Sequence, residues 1–181
     1  MSEEITVLLD VVARLESVGI PYMLTGSMAR NLYAVPRMTR DIDFVAAIVL
    51  RDVTRLTGVF PETEFYRSED AIRDAITHQS SFNFVHLATL LKIDVMIRKR
   101  EEYRLAEFER RRRVEIGGQP VWVVSKEDLI LSKLEWSRAS ASERQREDVR
   151  MLLLDGNVDR PYLEAWAERL QLMSILTQVS P

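Results

Sequence analysis

The stretch DIDFVAAIV, residues 41–49, constrains the fold of this chain more than any other segment. Its second half is an apolar run, which predicts a strand buried on both faces of a sheet. Its first half carries Asp41 and Asp43 at alternate positions, and alternate residues of a strand point to the same face. Two carboxylates that share a face repel each other unless a cation compensates their charge. The segment therefore predicts a buried sheet with an acidic, cation-binding site on it.

The segments around this stretch alternate between helical and strand patterns. Residues 5–18 show helical spacing of apolar residues before Gly19, and a strand at residues 21–26 leads into a glycine turn and a short helix with Ser27 as its N-cap. Two more strands are predicted by SFNFVHLA and KIDVMIR, and a hairpin by VEIGGQPVWVV. From Ser125 the pattern is helical to the end, beginning with a capping box of Ser125 and Asp128.

These patterns predict an α+β fold, with a mixed sheet flanked by helices. We expect an α/β core at residues 1–124 and a helical part at residues 125–181 that packs on it without a flexible linker. The tryptophans Trp122, Trp136 and Trp166 fall on apolar faces, so we expect them in the core rather than as platforms for base stacking.

Composition excludes several classes of protein and site. The 181 residues contain no cysteine, which rules out disulfides, a thiol nucleophile and a cysteine zinc site. The net charge of −3 does not suggest a strongly basic nucleic-acid binder. The opening MSEEITVLLD has no signal-peptide pattern, and no apolar run approaches the roughly 20 residues of a membrane span. We expect a cytoplasmic protein that does not enter membranes.

A third acid and a glycine turn extend the predicted site. Asp94 lies in the middle of the apolar strand LKIDVMI, where packing alone does not explain it, although a simple pair with Lys92 is an alternative. Three such carboxylates would offer the hard oxygen ligands that suit Mg²⁺ or Mn²⁺. Two metal ions held in this way act as a clamp for phosphoryl or nucleotidyl transfer.

The turn before the acidic strand suits a phosphate group. Gly26 lets the backbone approach a phosphate closely, and Ser27 offers a hydroxyl at a helix N-terminus, although a plain cap needs no ligand. Arg30 and Arg37 follow at positions from which they would hold polyphosphate oxygens.

The Gly26-Ser27 turn, the pair Asp41 and Asp43 and the later Asp94 together resemble the nucleotidyltransferase superfamily of the DNA polymerase beta type. The resemblance implies an α/β core with a mixed sheet, a nucleoside triphosphate as donor and Mg²⁺ as cofactor. It implies that the three aspartates bind metal and act in catalysis, and that the turn binds the nucleotide.

Thirteen residues separate Ser27 from Asp41, more than in compact minimal members of the superfamily. The longer form, with Arg37 and Thr39 leading into Asp41-Ile42-Asp43, is more similar to the AbiEii-like branch, which includes toxins of abortive-infection systems and some enzymes that transfer nucleotides to tRNA. In that branch a helical lysine reaches the phosphates and a later aspartate supports the site. The resemblance assigns these roles to Lys133 and to Asp148 at the end of RQRED.

Three functions are consistent with these residues. The first is an active, metal-dependent nucleotidyltransferase whose acceptor is an RNA, a protein side chain or a small molecule such as an aminoglycoside. The second is a nucleotidyltransferase-fold protein without turnover that acts as a partner in a toxin–antitoxin pair. The third is a structural domain with incidental acids. The presence of all three aspartates favours catalysis.

Overall fold

A computed structural model describes residues 2–154 and 156–180 of the chain. Its helices and strands follow in this order: α1 (Glu3–Ser17), β1 (Tyr22–Thr25), α2 (Gly26–Tyr33), β2 (Asp41–Ala46), a 3₁₀ helix (Leu50–Asp52), α3 (Val53–Val59), β3 (Phe65–Tyr66), α4 (Glu69–His78), β4 (Ser81–His86), β5 (Leu91–Ile97), α5 (Glu102–Glu109), β6 (Arg112–Ile116), β7 (Gln119–Val123), α6 (Lys126–Ser140), α7 (Glu143–Leu153), α8 (Arg160–Arg169) and α9 (Met173–Val179). The two-residue strand β3 was not predicted, because so short a segment carries no periodic pattern.

The strands of the described residues form one mixed sheet of seven strands in the order β3-β4-β5-β2-β1-β7-β6. β2 pairs with β5, and β1 with β7, in parallel, whereas the remaining neighbours are antiparallel. This mixed sheet with its flanking helices confirms the predicted fold class. The acidic strand β2 lies at its centre, so both neighbours can add side chains to the same face.

One face of the central strands forms the core. Ile42, Phe44 and Ala46 of β2 are fully buried, and the register sets Ile42 beside Ile93 and Phe44 beside Val95 of β5. The other face of β2 is only partly covered, since Asp41 is exposed and Asp43 is half-buried. The prediction that this strand is buried on both faces is therefore wrong, because its second face looks into a cleft instead of packing against side chains.

A buried carboxylate, that of Asp128, joins two of the C-terminal helices, α6 and α8. Ser125 caps α6 by accepting a hydrogen bond from the Asp128 backbone N–H at 3.2 Å, and its hydroxyl donates to the Asp128 carboxylate; the first of these bonds is the serine half of the predicted capping box. The Asp128 side chain is fully buried and accepts a further bond, 2.8 Å long, from the Tyr162 hydroxyl of α8. The capping residues of α6 thereby also hold α8 in place.

All seven strands of the sheet end before residue 124, and α6 to α9 follow them. The division of the chain into a core and a helical part at this point stays a prediction. Within the residues that the structure describes, no helix has both the length and the apolar character needed to cross a bilayer.

Candidate active site

The three predicted acids come together on the open face of the sheet. Asp43 of β2 lies directly beside Asp94 of the parallel neighbour β5, and Asp41 lies beside Lys92. Since alternate residues share a face, all four side chains belong to the same side of these two strands. Parallel pairing of the two strands is what joins residues that stand 51 positions apart in the chain (94 − 43).

The surroundings of Asp43 destabilise the charged form of its carboxylate. Burial, followed by the charges of Asp94 and Asp41, raises the pKa of Asp43 to about 6. The charge of Lys133 and a hydrogen bond from the Ser27 backbone oppose this rise. A carboxylate held in this way gains from any cation that comes close to it, because a cation relieves both the lost hydration and the repulsion.

Gly26 allows Asp43 to sit against the turn. Its φ is +63°, in the left-handed region, and a Cβ atom at this position would lie 2.0 Å from Oδ2 and 2.6 Å from Cγ of Asp43. Glycine is thus required here twice, for its backbone conformation and for the space that it leaves. Ser27 is not the N-cap of α2, as predicted from sequence, since the helix begins at Gly26 with Thr25 at the cap position.

We expect Gly26→Ala to lose metal-dependent nucleotide binding as well as stability. A left-handed alanine costs ~1–2 kcal/mol, and the new methyl group would also displace the Asp43 carboxylate. Gly19→Ala is the matched control, because Gly19 has a φ of +62° and nothing within 4 Å of its Cβ position. Chemical unfolding and nucleotide titration of both variants would measure the two effects. If the two variants lose the same stability and both still bind nucleotide, the close approach of the Asp43 carboxylate to Gly26 has no role in binding.

A cluster of basic side chains surrounds Asp148 next to the acids. Asp148 is buried and accepts hydrogen bonds from Arg37 Nη2 at 2.9 Å and Lys133 Nζ at 2.8 Å. Arg30 Nε forms an ion pair with it at 3.2 Å. Burial alone would raise the pKa of Asp148, but the hydrogen bonds from Arg37 and Lys133 lower it to about 2. Three cations around one acid leave an excess of positive charge, which suits a polyanion such as a triphosphate.

The members of this basic cluster differ in access. Arg37 and Lys133 line the cleft, and Arg37 Nη2 also donates to the Ser27 hydroxyl at 2.8 Å. Arg30 is buried, donates to the Val35 carbonyl and does not line the cleft. Arg30 was predicted to hold polyphosphate oxygens. In the structure its guanidinium group lies beside Asp148, with Nε 3.2 Å from the carboxylate.

Asp41, Asp43, Arg37 and Lys133 line a cleft of about 1020 Å³ between the open face of the sheet and α6, whereas Asp94 and Asp148 do not line it. Thr39, the predicted supporting residue, also lines it. Leu129, Lys133 and Trp136 of α6 face the cleft at helical spacing. The volume is at the upper end of the ~300–1,000 Å³ that is usual for small-molecule sites, so the cleft has room for a nucleotide together with part of an acceptor.

The geometry agrees with a comparison of the whole chain with known families. A family model described as nucleotidyltransferase of unknown function (DUF6036) matches residues 2–179. The chain belongs to this family. A search of curated proteins finds no match.

Solved structures share the fold of this nucleotidyltransferase at low sequence identity. A crystal structure of ANT(2″)-Ia in complex with adenylyl-2″-tobramycin is 15% identical, with a TM-score of 0.60 over 99% of this chain and 100% of that chain. A nucleotidyltransferase-like protein from Paracoccidioides brasiliensis is 21% identical, with a TM-score of 0.59 over 98% and 92%. The lincosamide antibiotic adenylyltransferase LnuA, lincomycin-bound, is 14% identical, with a TM-score of 0.55 over 84% and 96%.

The acidic face offers the oxygen ligands of a divalent cation, with one complication. Lys92 Nζ lies 2.8 Å from one oxygen of Asp94 and 2.9 Å from the other, so the third acid is already paired. Within residues 2–154 and 156–180, no three acidic or histidine side chains are grouped as a ready metal site. The Lys92 side chain is 47% exposed, and a pair at such a surface is worth only ~0–1 kcal/mol. The carboxylates are of the type that binds a hard divalent cation, and Lys92 competes with such a cation for Asp94.

We expect Lys92→Gln to bind Mn²⁺ up to about fivefold more tightly, since an exposed ion pair of ~1 kcal/mol no longer competes with the metal for Asp94. Titration of Mn²⁺ into both proteins would measure the change. Arg51→Gln is the control, because it removes an exposed cation that does not line the cleft. Unchanged or weaker binding in the Lys92 variant would show that this lysine does not compete with metal.

Trp136 is the cleft residue that sequence reasoning assigned wrongly. Its side chain is 58% exposed, whereas Trp122 and Trp166 are partly buried against the core. Trp136 stands three residues after Lys133, and this helical spacing puts it on the same side of α6 as that lysine. The spacing signal was present in the sequence, but the apolar character of the ring favoured a core position. An exposed indole in a cleft supplies a flat surface for a ligand.

Proposed function

We propose that this protein is a metal-dependent nucleotidyltransferase that moves a nucleoside monophosphate from a nucleoside triphosphate to an acceptor hydroxyl. The observation that carries the proposal is the set Asp41, Asp43 and Asp94 on one sheet face beside the Gly26-Ser27 turn. A divalent cation, Mg²⁺ or Mn²⁺, would be held by these carboxylates and would supply charge stabilisation at the phosphates. Catalytic and binding roles for the individual residues are part of this proposal.

The positive charge of the basic cluster would stabilise the pyrophosphate that leaves the donor nucleotide. In the reaction the acceptor oxygen forms a bond to the α-phosphorus, the bond from that phosphorus to the pyrophosphate oxygen breaks, and the acceptor loses a proton. Ser27, Arg37 and Lys133 would hold the β- and γ-phosphates, and the charge of the leaving pyrophosphate would be met by the excess cations around Asp148. Asp94 would assist in removing the acceptor proton when it is free of Lys92.

Arg30, Thr39 and Asp148 would support the site without contact to the reacting atoms. Arg30 and Asp148 belong to the buried side of the basic cluster, and Thr39 belongs to the loop that carries Arg37. We propose that Asp148 keeps Arg37 and Lys133 in the orientation that a triphosphate requires. A nucleoside triphosphate donor is consistent with a cytoplasmic location.

Solved structures with the same fold indicate classes of acceptor that this fold accommodates. ANT(2″)-Ia is described in complex with an adenylylated tobramycin, and LnuA with lincomycin, so proteins with this fold accommodate antibiotic acceptors. RNA and protein acceptors, and membership of the AbiEii-like branch with a toxin–antitoxin partner, are alternatives within the same fold.

A second candidate is a non-catalytic partner protein of the same fold. The Lys92–Asp94 pair favours it, since a permanent pair would fill the place of a metal ion. Metal-dependent nucleotide binding separates this candidate from the enzyme.

The experiment that tests the proposed function is titration of non-hydrolysable analogues of the four nucleoside triphosphates, with Mg²⁺ and with EDTA. The wild type and the double variant Asp41→Asn, Asp43→Asn would be compared. Binding that needs Mg²⁺ and disappears in the variant supports the proposal. Absence of binding by all four analogues would overturn it and favour the non-catalytic partner.

A further inference from the structure

The half of the cleft that lies away from the three aspartates carries charged residues that the proposed function does not use. Two acids face it, Glu107 and Glu135, and both are bound by one side chain, Arg104. Arg104 Nη1 lies 2.9 Å from Glu107, and Ser132 donates a second bond to Glu107 at 2.8 Å. Both carboxylates are therefore already paired with Arg104, although its single positive charge offsets only one of the two negative charges.

The cations of the same region are not neutralised. Arg98, Lys99, Arg138 and Arg144 line the cleft, and in the described ranges 2–154 and 156–180 none of them lies within 4.0 Å of a carboxylate. Arg138 donates to a backbone carbonyl, that of Leu170, at 2.9 Å. Together with Arg104, these four cations outnumber the two carboxylates, so this half of the cleft has an excess of positive charge.

Arg98 is the partly buried member of this group of cations. Its guanidinium group lies 5.2 Å from the centre of the Phe108 ring, and its Nε atom is buried without a hydrogen-bond partner. A buried N–H donor without a partner costs free energy until an acceptor satisfies it. The Nε atoms of Arg30, Arg110, Arg111 and Arg146 are in the same condition, so what relates Arg98 to an anion is its charge and its place in the cleft lining.

We propose that the acceptor of this enzyme carries phosphate, held by Arg98, Lys99, Arg138 and Arg144, next to the hydroxyl that receives the nucleotide. A polycationic acceptor of the aminoglycoside type would be repelled by the same four charges. Trp136, exposed between these cations and Lys133 on α6, offers its ring to the sugar or base of such an acceptor. The inference rests on the proposed function, because it assigns the second substrate of the same cleft.

The test measures acceptor binding after the nucleotide part of the cleft is filled. The protein would be saturated with Mg²⁺ and the non-hydrolysable nucleotide that binds best, and then titrated with ribose 5-phosphate, with a single-stranded hexaribonucleotide and with kanamycin. We expect at least one phosphate-bearing probe to bind and kanamycin not to bind. Tighter binding of ribose 5-phosphate would point to a small phosphorylated acceptor, and tighter binding of the hexaribonucleotide to an RNA end.

The variant Lys99→Gln, Arg144→Gln would weaken binding of the phosphate-bearing probe about tenfold, the effect of losing one charge-assisted hydrogen bond. Both side chains are exposed, so folding is not at risk. The matched control Arg51→Gln, Arg112→Gln removes two exposed cations outside the cleft and should leave binding unchanged.

The outcomes separate the two proposals. If the nucleotide binds with Mg²⁺ but no phosphate-bearing probe binds, if kanamycin binds as well, or if the cleft variant behaves as its control does, the acceptor inference is wrong and the proposed function stands. If the nucleotide itself does not bind, the proposed function fails, and the acceptor inference fails with it.

Discussion

Replacing Asp43 by asparagine is expected to lower nucleotidyl transfer by about 10³-fold or more, because a metal clamp contributes several kcal/mol to the transition state and each 1.4 kcal/mol is a factor of ten in rate. Asparagine keeps the shape of the side chain and removes the charge that holds the cation. Release of pyrophosphate from each nucleoside triphosphate, measured with the acceptor or with water, would report the loss.

The same substitution should not destabilise the fold. Burial and the neighbouring carboxylates raise the pKa of Asp43 to about 6, so at pH 7 the folded protein holds this carboxylate in an unfavourable charged state. Removing the charge relieves that cost, and we expect a Tm equal to or above that of the wild type. Asp70→Asn, on the exposed start of α4, is the control for loss of one acid. Full activity in the Asp43 variant would refute the assignment, and a lowered Tm would refute the electrostatic explanation.

Replacing Asp148 by alanine is expected to destabilise the protein by about 3–5 kcal/mol, the range for removing one partner of a buried ion pair. Lys133 and Arg30 are each about 4% exposed, and without Asp148 they would be buried cations with no carboxylate in contact among the described residues. Urea unfolding would measure the change. Glu147→Ala is the control, since the neighbouring Glu147 is exposed and pairs only with Arg150 among the described residues. If the free energy of unfolding falls by less than about 1 kcal/mol, the ion pairs of Asp148 contribute no more than exposed surface pairs do, and the prediction is wrong.

The lowered pKa of Asp148 also predicts how the stability of the protein falls at acidic pH. Its folded pKa of about 2 lies below the ordinary value, so its contribution to stability is complete above about pH 4 and is lost as the pH falls toward 2. The wild type should therefore lose more stability than Asp148→Asn over this interval. Parallel losses in the two proteins would show that other carboxylates determine acid unfolding.

The acidic half of the site is readable from the sequence. Alternation along β2 places Asp41 and Asp43 on one face, and an aspartate inside an apolar strand marks β5 as the neighbour that completes the group. These are local rules, and they need no knowledge of the tertiary structure. The glycine at position 26 follows the same logic, because a turn into a helix N-terminus favours it.

The basic half is not readable in the same way. Nothing local distinguishes the buried Arg30 from the cleft-lining Arg37, because the difference depends on where α7 brings Asp148. Only the family resemblance singled out Lys133 and Asp148, and the structure joins the two by a 2.8 Å contact. Side chains whose partners come from distant segments require the fold itself.

The contact between Arg37 and Asp148 spans 111 residues of the chain. During synthesis from the N-terminus, every strand and all three aspartates leave the ribosome before α7 does. A nascent chain whose sheet had already formed would therefore expose the three aspartates before the basic cluster around Asp148 is complete. Under the roles proposed for Arg37 and Lys133, the ability to hold a triphosphate is acquired only in the last third of translation, when α7 brings Asp148 into contact with both.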